Sequence, residues 1–260
     1  MRKRNLILSA FVTVLFLLSH NGFGFGEEWP AVFGQERSIQ PPVMVWAWER
    51  PEDLGFIDSH EIGVAFLACT IRIQGDTVHV RPRLQPLHIP QETFLIAVVR
   101  IDVSRREPPR FTQRLHSEIV SIIAELIKRK GISALQIDYD AKKSERLFYK
   151  ELIWDVRRQI PQSMGLSITA LATWCIHDYW IAGLPIDEAV PMLFRIGPER
   201  DWISLYLEEE HDFKPLCRKS LGISTDEPLL KLPHERRLYI FHPKSWSEEA
   251  LKKIINEVIK

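Results

Sequence analysis

Residues 134–141 read Ala-Leu-Gln-Ile-Asp-Tyr-Asp-Ala, an apolar run that ends in two aspartates, Asp138 and Asp140. Side chains two positions apart on a β-strand point to the same face, so we expect the two carboxylates to lie side by side. Parallel α/β folds place their chemistry at the carboxyl ends of their strands. Two adjacent acids are costly to keep ionised, and the pair therefore indicates a functional site.

Seven other apolar segments are typical of strands buried on both faces of a sheet. Together with residues 134–141 they give eight candidate strands, the others being residues 43–48, 63–73, 94–102, 166–174, 189–194, 221–224 and 237–242. Helical spacing of apolar residues predicts helices at 111–130, 144–160 and 247–259. The alternation predicts an α/β fold, a single small (β/α)₈ TIM-like barrel in which some helices are shortened or replaced. A doubly wound open sheet is the alternative, although no Gly-rich phosphate loop follows any strand.

Local signals refine this prediction at three places. Gln74-Gly75-Asp76 lies between alternating apolar and polar residues, which predicts a β-hairpin after strand two. Residues 198–216 are only weakly periodic, and no element is predicted there. Ser245 and Glu248 have the spacing of a capping box for the last helix.

The N-terminus predicts export from the cytoplasm. Met1-Arg-Lys-Arg4 precedes a short apolar run and then small residues, the pattern of a secretory signal peptide over residues 1–26. An uncleaved anchor is the alternative, but the apolar run is shorter than the roughly 20 residues of a spanning helix. Residues 27–42 are then a lead-in and 43–260 the barrel domain. We expect a secreted or periplasmic protein without a membrane span after cleavage.

Composition limits the choice of partners. The formal net charge is zero, so no nucleic-acid partner is predicted. The three cysteines, Cys69, Cys175 and Cys217, allow one disulfide in an oxidising compartment, and no pairing is favoured. No cofactor is predicted. No metal site is predicted either, since metal-binding motifs are missing around Asp102, Asp138, Asp140 and His242.

The predicted strand ends collect acids, an arginine and tryptophans, as carbohydrate sites do. The candidate catalytic residues are Asp140, Asp138, Glu49 and Asp102. The candidate substrate-binding residues are Trp46, Trp48, Arg100, Trp174, Met192 and His242.

Most of these residues also have a structural interpretation. Asp138 or Asp140 can pair with Arg100 to hold strands together. Glu49 can pair with its neighbour Arg50, and Met192 and Trp174 can simply fill the core.

Several motifs, in order, resemble a bacterial family of secreted proteins known as domain of unknown function 3142. The resemblance runs from about Val43 to the eighth strand and implies no established activity. It is carried by residues 45–49 (Val-Trp-Ala-Trp-Glu), 81–86, 99–102, 136–141, 166–171, 174–175 and 191–194.

Strand four is also similar, more distantly, to the Asp-x-x-Asp-x-Asp-x-Glu motif of family 18 chitinase-like barrels. Asp138 and Asp140 match the second and third acids of that motif, whereas Leu135 stands at the first. Lys142 stands where those enzymes carry the proton-donating glutamate, so their mechanism does not transfer unchanged. Pro191-Met-Leu-Phe194 is similar to their sixth strand, and Trp246 to their aromatic residue after strand eight.

Two functions follow as hypotheses. The first is a secreted glycoside-hydrolase-like barrel that acts on or binds a carbohydrate. In this hypothesis Asp140 is the main catalytic carboxylate, and Asp138 shifts the pKa of Asp140 through its like charge. Glu49 or Asp102 is the second catalytic carboxylate. The alternative is a non-catalytic barrel of the cell envelope that binds a glycan or a protein. A metal-dependent hydrolase is a more distant third.

Overall fold

Eight parallel strands form a closed barrel in the computed structural model, which describes residues 40–258. The first strand is hydrogen-bonded to both the second and the eighth, and this pairing closes the sheet on itself. The barrel strands are β1 (Val43–Ala47), β2 (Ile62–Gln74), β3 (Leu95–Val103), β4 (Ala134–Asp138), β5 (Gly165–Leu171), β6 (Glu188–Met192), β7 (Ser220–Ser224) and β8 (Arg237–Phe241). The predicted α/β barrel of the TIM type is confirmed.

Helices cover only part of the outside of the barrel. Each connection from β3 to β7 contains one helix, and a further helix follows β8. In the described residues, none follows β1, β2 or β7, so the barrel is a reduced one. The helices are α1 (Gln113–Leu126), α2 (Arg146–Gln159), α3 (Ala172–Ile176), α4 (Arg200–Glu208) and α5 (Glu248–Val258). Short 3₁₀ turns are Lys143–Glu145, Gly197–Glu199 and Pro215–Cys217.

A hairpin takes the place of the helix after β2, as the sequence predicts. Thr77–Pro82 runs antiparallel to the last part of β2. Gly75 lies in the turn with φ of +55°, a left-handed conformation that glycine adopts without a steric cost. The connections also contain a minor two-stranded sheet, Glu52–Asp53 with Leu87–His88.

The predicted signal peptide and most of the predicted lead-in lie outside the described residues. Within residues 40–258, no helix combines the length and hydropathy needed to cross a bilayer.

The predicted extent of β5 is wrong at its carboxyl end. The strand stops at Leu171, and the next five residues form α3. Trp174 therefore belongs to a helix, where its ring packs edge-on against Trp180 at 4.9 Å between centroids. A continued strand would alternate its side chains between the two faces, whereas the helical turn buries Trp174, Cys175 and Ile176 together.

Two predictions about helices also need correction. Residues 200–208, where no element is predicted, form α4, a two-turn helix too short for a clear periodic signal that buries Ile203 and Leu207. The hydroxyl that caps α5 belongs to Ser247, which accepts a hydrogen bond from the amide of Ala250 at 3.2 Å. Ser245 instead donates to the carbonyl of Pro51 at 3.2 Å.

Apolar side chains pack on both sides of the barrel wall. The outward-facing ones meet the helices in the larger core cluster. The inward-facing ones fill the barrel lumen; among them are Met44, Trp46, Ala65, Leu67, Ile96, Val98, Ala134, Val190, Tyr239 and Phe241. The lumen is therefore a packed core rather than a channel.

A β-bulge in β2 changes which side chains face inward. The register between β2 and β3 shifts between Leu67 and Cys69, which leaves Ala68 as an extra residue. Before the bulge, Ala65 and Leu67 belong to the inner cluster. After it, Cys69, Ile71 and Ile73 belong to the outer cluster.

The same bulge aims two polar side chains at the inner side of the wall. Thr70 pairs with Arg100 of β3, and Arg72 pairs with Asp102. Strict alternation from Leu67 would give this inner face to Ile71 instead of Arg72. Bulges recur beside functional sites because they re-aim side chains in this way.

A buried ionic network closes the other end of the lumen. The carboxylate of Glu188 accepts hydrogen bonds from Ser220 Oγ at 3.0 Å, Arg237 Nη1 at 2.9 Å and Tyr239 Oη at 2.9 Å. These residues belong to the adjacent strands β6, β7 and β8, so one carboxylate links three strands. A buried charge with this many donors is satisfied and can be kept in a core.

A disulfide joins α3 to the segment that precedes β7. It links Cys175 to Cys217, 42 residues apart, with 5.7 Å between their Cα atoms. Cys69 remains a free thiol, and burial raises its pKa to about 11, so it stays protonated and unreactive at neutral pH. The sequence allows one bridge and does not identify these partners.

We expect the double substitution Cys175→Ala/Cys217→Ala to lower the free energy of unfolding by about 2–4 kcal/mol, because the bridge restricts the unfolded chain. Urea unfolding followed by circular dichroism measures the difference, and a reductant should weaken the wild type but not the variant. Thiol titration of the denatured, unreduced protein should detect Cys69 alone. Three reactive thiols in that titration would show that the bridge does not form.

Candidate functional site

A pocket of about 580 Å³ opens at the carboxyl ends of β3 and β4, next to the part of β2 that follows the bulge. Its lining is dominated by charged side chains of both signs. They are Arg72, Arg100, Asp102, Arg105, Arg106, Asp138, Asp140, Lys142 and Glu145. Four of the predicted site residues, Arg100, Asp102, Asp138 and Asp140, therefore meet in one cavity.

Asp138 is the buried anchor of this pocket. Its side chain accepts a hydrogen bond from Arg100 Nη1 at 2.8 Å on one oxygen and from Thr169 Oγ1 at 2.8 Å on the other. Arg100, Asp138 and Thr169 lie on the adjacent strands β3, β4 and β5. Because both oxygens are engaged, Asp138 binds the strands together and presents little free acceptor capacity to a ligand.

Arg100 divides its guanidinium between two acids. Its Nη1 reaches Asp138, and its Nε donates to Asp102 Oδ1 at 3.1 Å. Asp102 is the more open partner, with 46% of its side chain exposed, against 10% for Asp138. Asp102 is therefore more accessible from the pocket than Asp138.

Asp140 differs from both of these acids. It lies on the pocket side of the strand end, two residues beyond Asp138, and no side chain or amide of residues 40–258 hydrogen-bonds to its carboxylate. Desolvation raises the pKa of Asp140 above its usual value, and the negative charge of Asp138 raises it further, against the opposing effect of Arg100. Asp140 is thus exposed to the cavity and makes no hydrogen bond within residues 40–258, and its pKa is shifted in the direction that a proton donor needs.

Neither Lys142 nor Glu145, which come after Asp140 in the chain, replaces the proton-donating acid that chitinase-like barrels use. Lys142 lines the pocket with its side chain 62% exposed. Glu145 is the nearest later acid, but it is buried and accepts hydrogen bonds from Tyr139 Oη at 3.0 Å and from the amide of Lys142 at 2.9 Å. Glu145 therefore fixes the loop after β4 rather than serving as a mobile acid.

Sequence reasoning missed three further arginines of the pocket. Arg72 reaches it because of the bulge, and Arg105 and Arg106 lie in the loop directly after β3. Arg72 was missed because the sequence does not reveal the bulge that turns it toward the pocket. Arg105 and Arg106 were missed because residues of a loop show no periodic pattern. Only the consecutive pair Arg105-Arg106 next to Asp102 could have drawn attention to this loop.

The other predicted residues lie outside the pocket lining. Glu49 forms an ion pair with Arg81 at 3.0 Å. His242 shares a hydrogen bond with Thr225 at 2.6 Å, and desolvation lowers its pKa. Trp174 is 2% exposed and packs on the outer side of the barrel, so it presents no face to a ligand.

The tryptophans at the end of β1, predicted to form a substrate-binding surface, instead lie in the packed core inside the barrel or against it. Trp46 is 1% exposed and stacks on Phe241 at 4.3 Å between centroids, and Phe194 contacts Phe241 at 4.7 Å. Trp48 and Met192 are partly buried against the same cluster. Trp246 is also buried, and its indole donates to the carbonyl of Trp46 at 2.9 Å. Of these residues, only the partly exposed Trp48, Met192 and Phe194 can touch a ligand.

Within the described residues, no group of three or more His, Cys, Asp or Glu side chains is arranged to hold a metal ion. His242 in particular is not among the residues that line the pocket with Asp102, Asp138 and Asp140.

Residues 92–190 match the family model of a domain of unknown function, DUF3142. The match includes β3, β4 and β5, with the Arg100–Asp138–Thr169 contacts and Asp140. It confirms the resemblance that the sequence motifs at residues 99–102, 136–141 and 166–171 indicate. A comparison with curated proteins finds no match.

Solved structures give weak likenesses at low identity. The spore cortex-lytic enzyme SleL of Bacillus cereus is 15% identical, with a TM-score of 0.42 over 72% of this chain and 51% of its own length. A chitinase of Rhizomucor miehei is 9% identical, with a TM-score of 0.43 over 70% of this chain and 68% of its own. The chitinase domain of the Clostridium difficile spore coat protein CotE is 15% identical, with a TM-score of 0.42 over 72% and 66%. The chain spans about half the length of SleL, and the evidence for the barrel is the closed sheet itself.

We expect Asp138→Ala to lower the free energy of unfolding by about 2–4 kcal/mol, because it leaves Arg100 and Thr169 without their buried acceptor. Asp102→Ala is the matched control: it removes an exposed partner of the same arginine and should cost about 1 kcal/mol or less. Urea unfolding of the two variants measures both values. Equal losses would show that Asp138 is not the anchor.

We expect Asp140→Asn to make the folded protein more stable than the wild type at neutral pH. The pKa of Asp140 is raised in the folded state, so the wild type loses stability as the pH rises through that folded pKa, whereas asparagine does not titrate. Below the unfolded pKa both side chains are neutral and the gain should disappear. Melting temperatures from about pH 3.5 to about pH 8 give the difference, and a gain that grows on acidification would contradict the assignment.

Proposed function

We propose that the protein is a carbohydrate-active barrel that hydrolyses a glycosidic bond in the pocket at the ends of β3 and β4. The observation that carries this proposal is Asp140, an unbonded carboxyl of raised pKa that faces the same cavity as a second, accessible carboxylate, Asp102. Glycoside hydrolysis needs two such groups in different protonation states.

The two acids take complementary roles. Asp140, protonated, gives its proton to the glycosidic oxygen as the bond from that oxygen to the anomeric carbon breaks. Asp102 is held beside the positive Arg100 and acts as the carboxylate that accepts a proton from the attacking water, whose oxygen bonds to the anomeric carbon. One water is consumed, and the proton on Asp102 returns through solvent to Asp140.

Asp138 and Arg100 act as positioning residues. The bonds from Arg100 and Thr169 hold Asp138 next to Asp140, where the negative charge of Asp138 adds to desolvation in raising the pKa of Asp140. Arg100 also fixes the Asp102 carboxylate through its Nε. In this scheme Asp102, not Glu49, is the second carboxylate, because Glu49 is paired with Arg81 outside the pocket lining.

The proposal includes export to an oxidising compartment. The predicted signal peptide and the Cys175–Cys217 disulfide support it, since disulfides persist outside the reducing cytoplasm.

A second candidate function is glycan binding without turnover. It is favoured by Lys142, which occupies the strand-four position of the chitinase-like proton donor, and by the complete hydrogen bonding of Asp138. In such a protein Asp140 would take part only in contacts with the ligand.

We expect Asp140→Asn to reduce turnover by about 100-fold or more, because the amide cannot donate the proton that the leaving oxygen needs. The assay is the release of reducing ends from a panel of neutral, carboxylated and sulfated soluble polysaccharides. Asp102→Asn should cause a similar loss, and Glu49→Gln, the matched change at a rim acid outside the pocket lining, should leave turnover within about twofold.

The outcomes separate the two functions. Loss of turnover in Asp140→Asn with retained folding and binding supports the hydrolase. Binding of a polysaccharide by the wild type with no release of reducing ends supports the binding protein and rejects the hydrolase. Equal loss in Glu49→Gln would reject Asp102 as the second carboxylate.

A further inference from the structure

One wall of the pocket, formed by Arg72, Arg105 and Arg106, carries positive charge that no acidic side chain of residues 40–258 pairs with. Arg72, Arg105 and Arg106 line the cavity, yet the side chain of none of them forms an ion pair or hydrogen bond with another residue of 40–258. Arg100, by contrast, is paired with both Asp102 and Asp138. Two of the four acids of the pocket are therefore paired with this one arginine, and three other arginines remain available.

The loop that presents Arg105 and Arg106 is anchored at both of its ends. The amide of Ser104 donates to the carbonyl of Ile73 at 2.8 Å, and the amide of Gly75 donates to the carbonyl of Glu107 at 3.0 Å. Ser104 Oγ also accepts from the amide of Glu107 at 3.2 Å, which closes the loop on itself. The two arginines thus project from a short, braced segment rather than from a flexible tip.

Arg72 lies on the same wall because of the bulge in β2. Its Cα pairs with that of Asp102, so its side chain projects on the pocket side of the sheet at the start of the braced loop. Lys142 adds a cation at the end of β4, with its ammonium 3.8 Å from Glu145. With all side chains ionised, the pocket holds five basic and four acidic groups.

We propose that the glycan bound in this pocket is anionic, and that Arg72, Arg105 and Arg106 bind its acidic groups while the sugar bond lies over Asp140 and Asp102. The inference rests on the proposed carbohydrate function and specifies its substrate class. Arginine suits this role because its planar fork of N–H donors matches carboxylate and sulfate oxygens. Carboxylated and sulfated chains share this chemistry.

The test is affinity electrophoresis of the whole mature chain through gels that contain dextran, carboxymethyl-dextran or dextran sulfate, which share one backbone and differ in charge. The wild type should be retarded by the anionic polymers and not by dextran. The carboxylated and sulfated arms then distinguish the two kinds of acidic group.

Arg105→Ser/Arg106→Ser should weaken retention by about fivefold to thirtyfold, as expected for the loss of two exposed ion pairs. The matched control is Arg129→Ser/Lys130→Ser, which removes the same charge from two adjacent, exposed residues after α1, outside the pocket lining. Its retention should stay within about twofold of the wild type. Arg72→Gln is a second, independent variant on a different element, β2, and should weaken retention in the same direction.

Three results would overturn the inference: no preference for the anionic polymers, an equal loss in the control pair, or unchanged retention in both pocket variants. Because electrophoresis reads binding without turnover, retention of an anionic polymer with no hydrolysis would reject the hydrolase and keep this inference. Hydrolysis confined to neutral polysaccharides would support the hydrolase and reject the inference of an anionic glycan.

Discussion

The salt bridge between Arg100 and Asp138 is the interaction on which the pocket depends. It crosses from β3 to β4, and the hydrogen bond from Thr169 extends it to β5. An arginine and an aspartate brought this far out of water are stable only when each has its partner. The three acids then occupy different environments: Asp138 is buried and hydrogen-bonded, Asp102 is paired with Arg100 but partly exposed, and Asp140 has no hydrogen-bond partner among residues 40–258. The chemical differences among the three carboxylates therefore follow from their different burial and from which of them Arg100 and Thr169 bind.

Sequence patterns were sufficient wherever the structure is set by neighbours along the chain. The strand that ends in Asp138 follows from its apolar run; Asp140 lies two residues beyond the strand, outside the predicted two-residue period, although both aspartates line the pocket as expected. The hairpin at Gln74-Gly75-Asp76 follows from a turn that needs a left-handed glycine. The eight-stranded barrel follows from the order of apolar runs and helices.

What the sequence could not predict depends on contacts that are distant in the chain. The pairing of Cys175 with Cys217 is fixed by how α3 and the segment before β7 meet, not by their spacing. The tryptophans of β1 look like cleft residues in the sequence, but Trp46 and Phe241 meet across the closed barrel and fill it. Closure joins the first and the last strands, so no local window contains both. The position of Arg72 in the pocket could not be predicted for a related reason, since Arg72 reaches the site only through a change of strand register.

The extra residue Ala68 gives that change of register a wider meaning. A strand assigns its side chains to two faces by parity, and the bulge switches the parity halfway along β2. The two halves of β2 therefore have different roles. Apolar side chains of the first half fill the lumen, whereas those of the second half pack in the outer core and its polar side chains face the pocket. The bulge absorbs the extra residue: if Ala68 were deleted, Leu67 and Cys69 would still stand opposite Val98 and Val99, and Arg72 would keep its place on the pocket side.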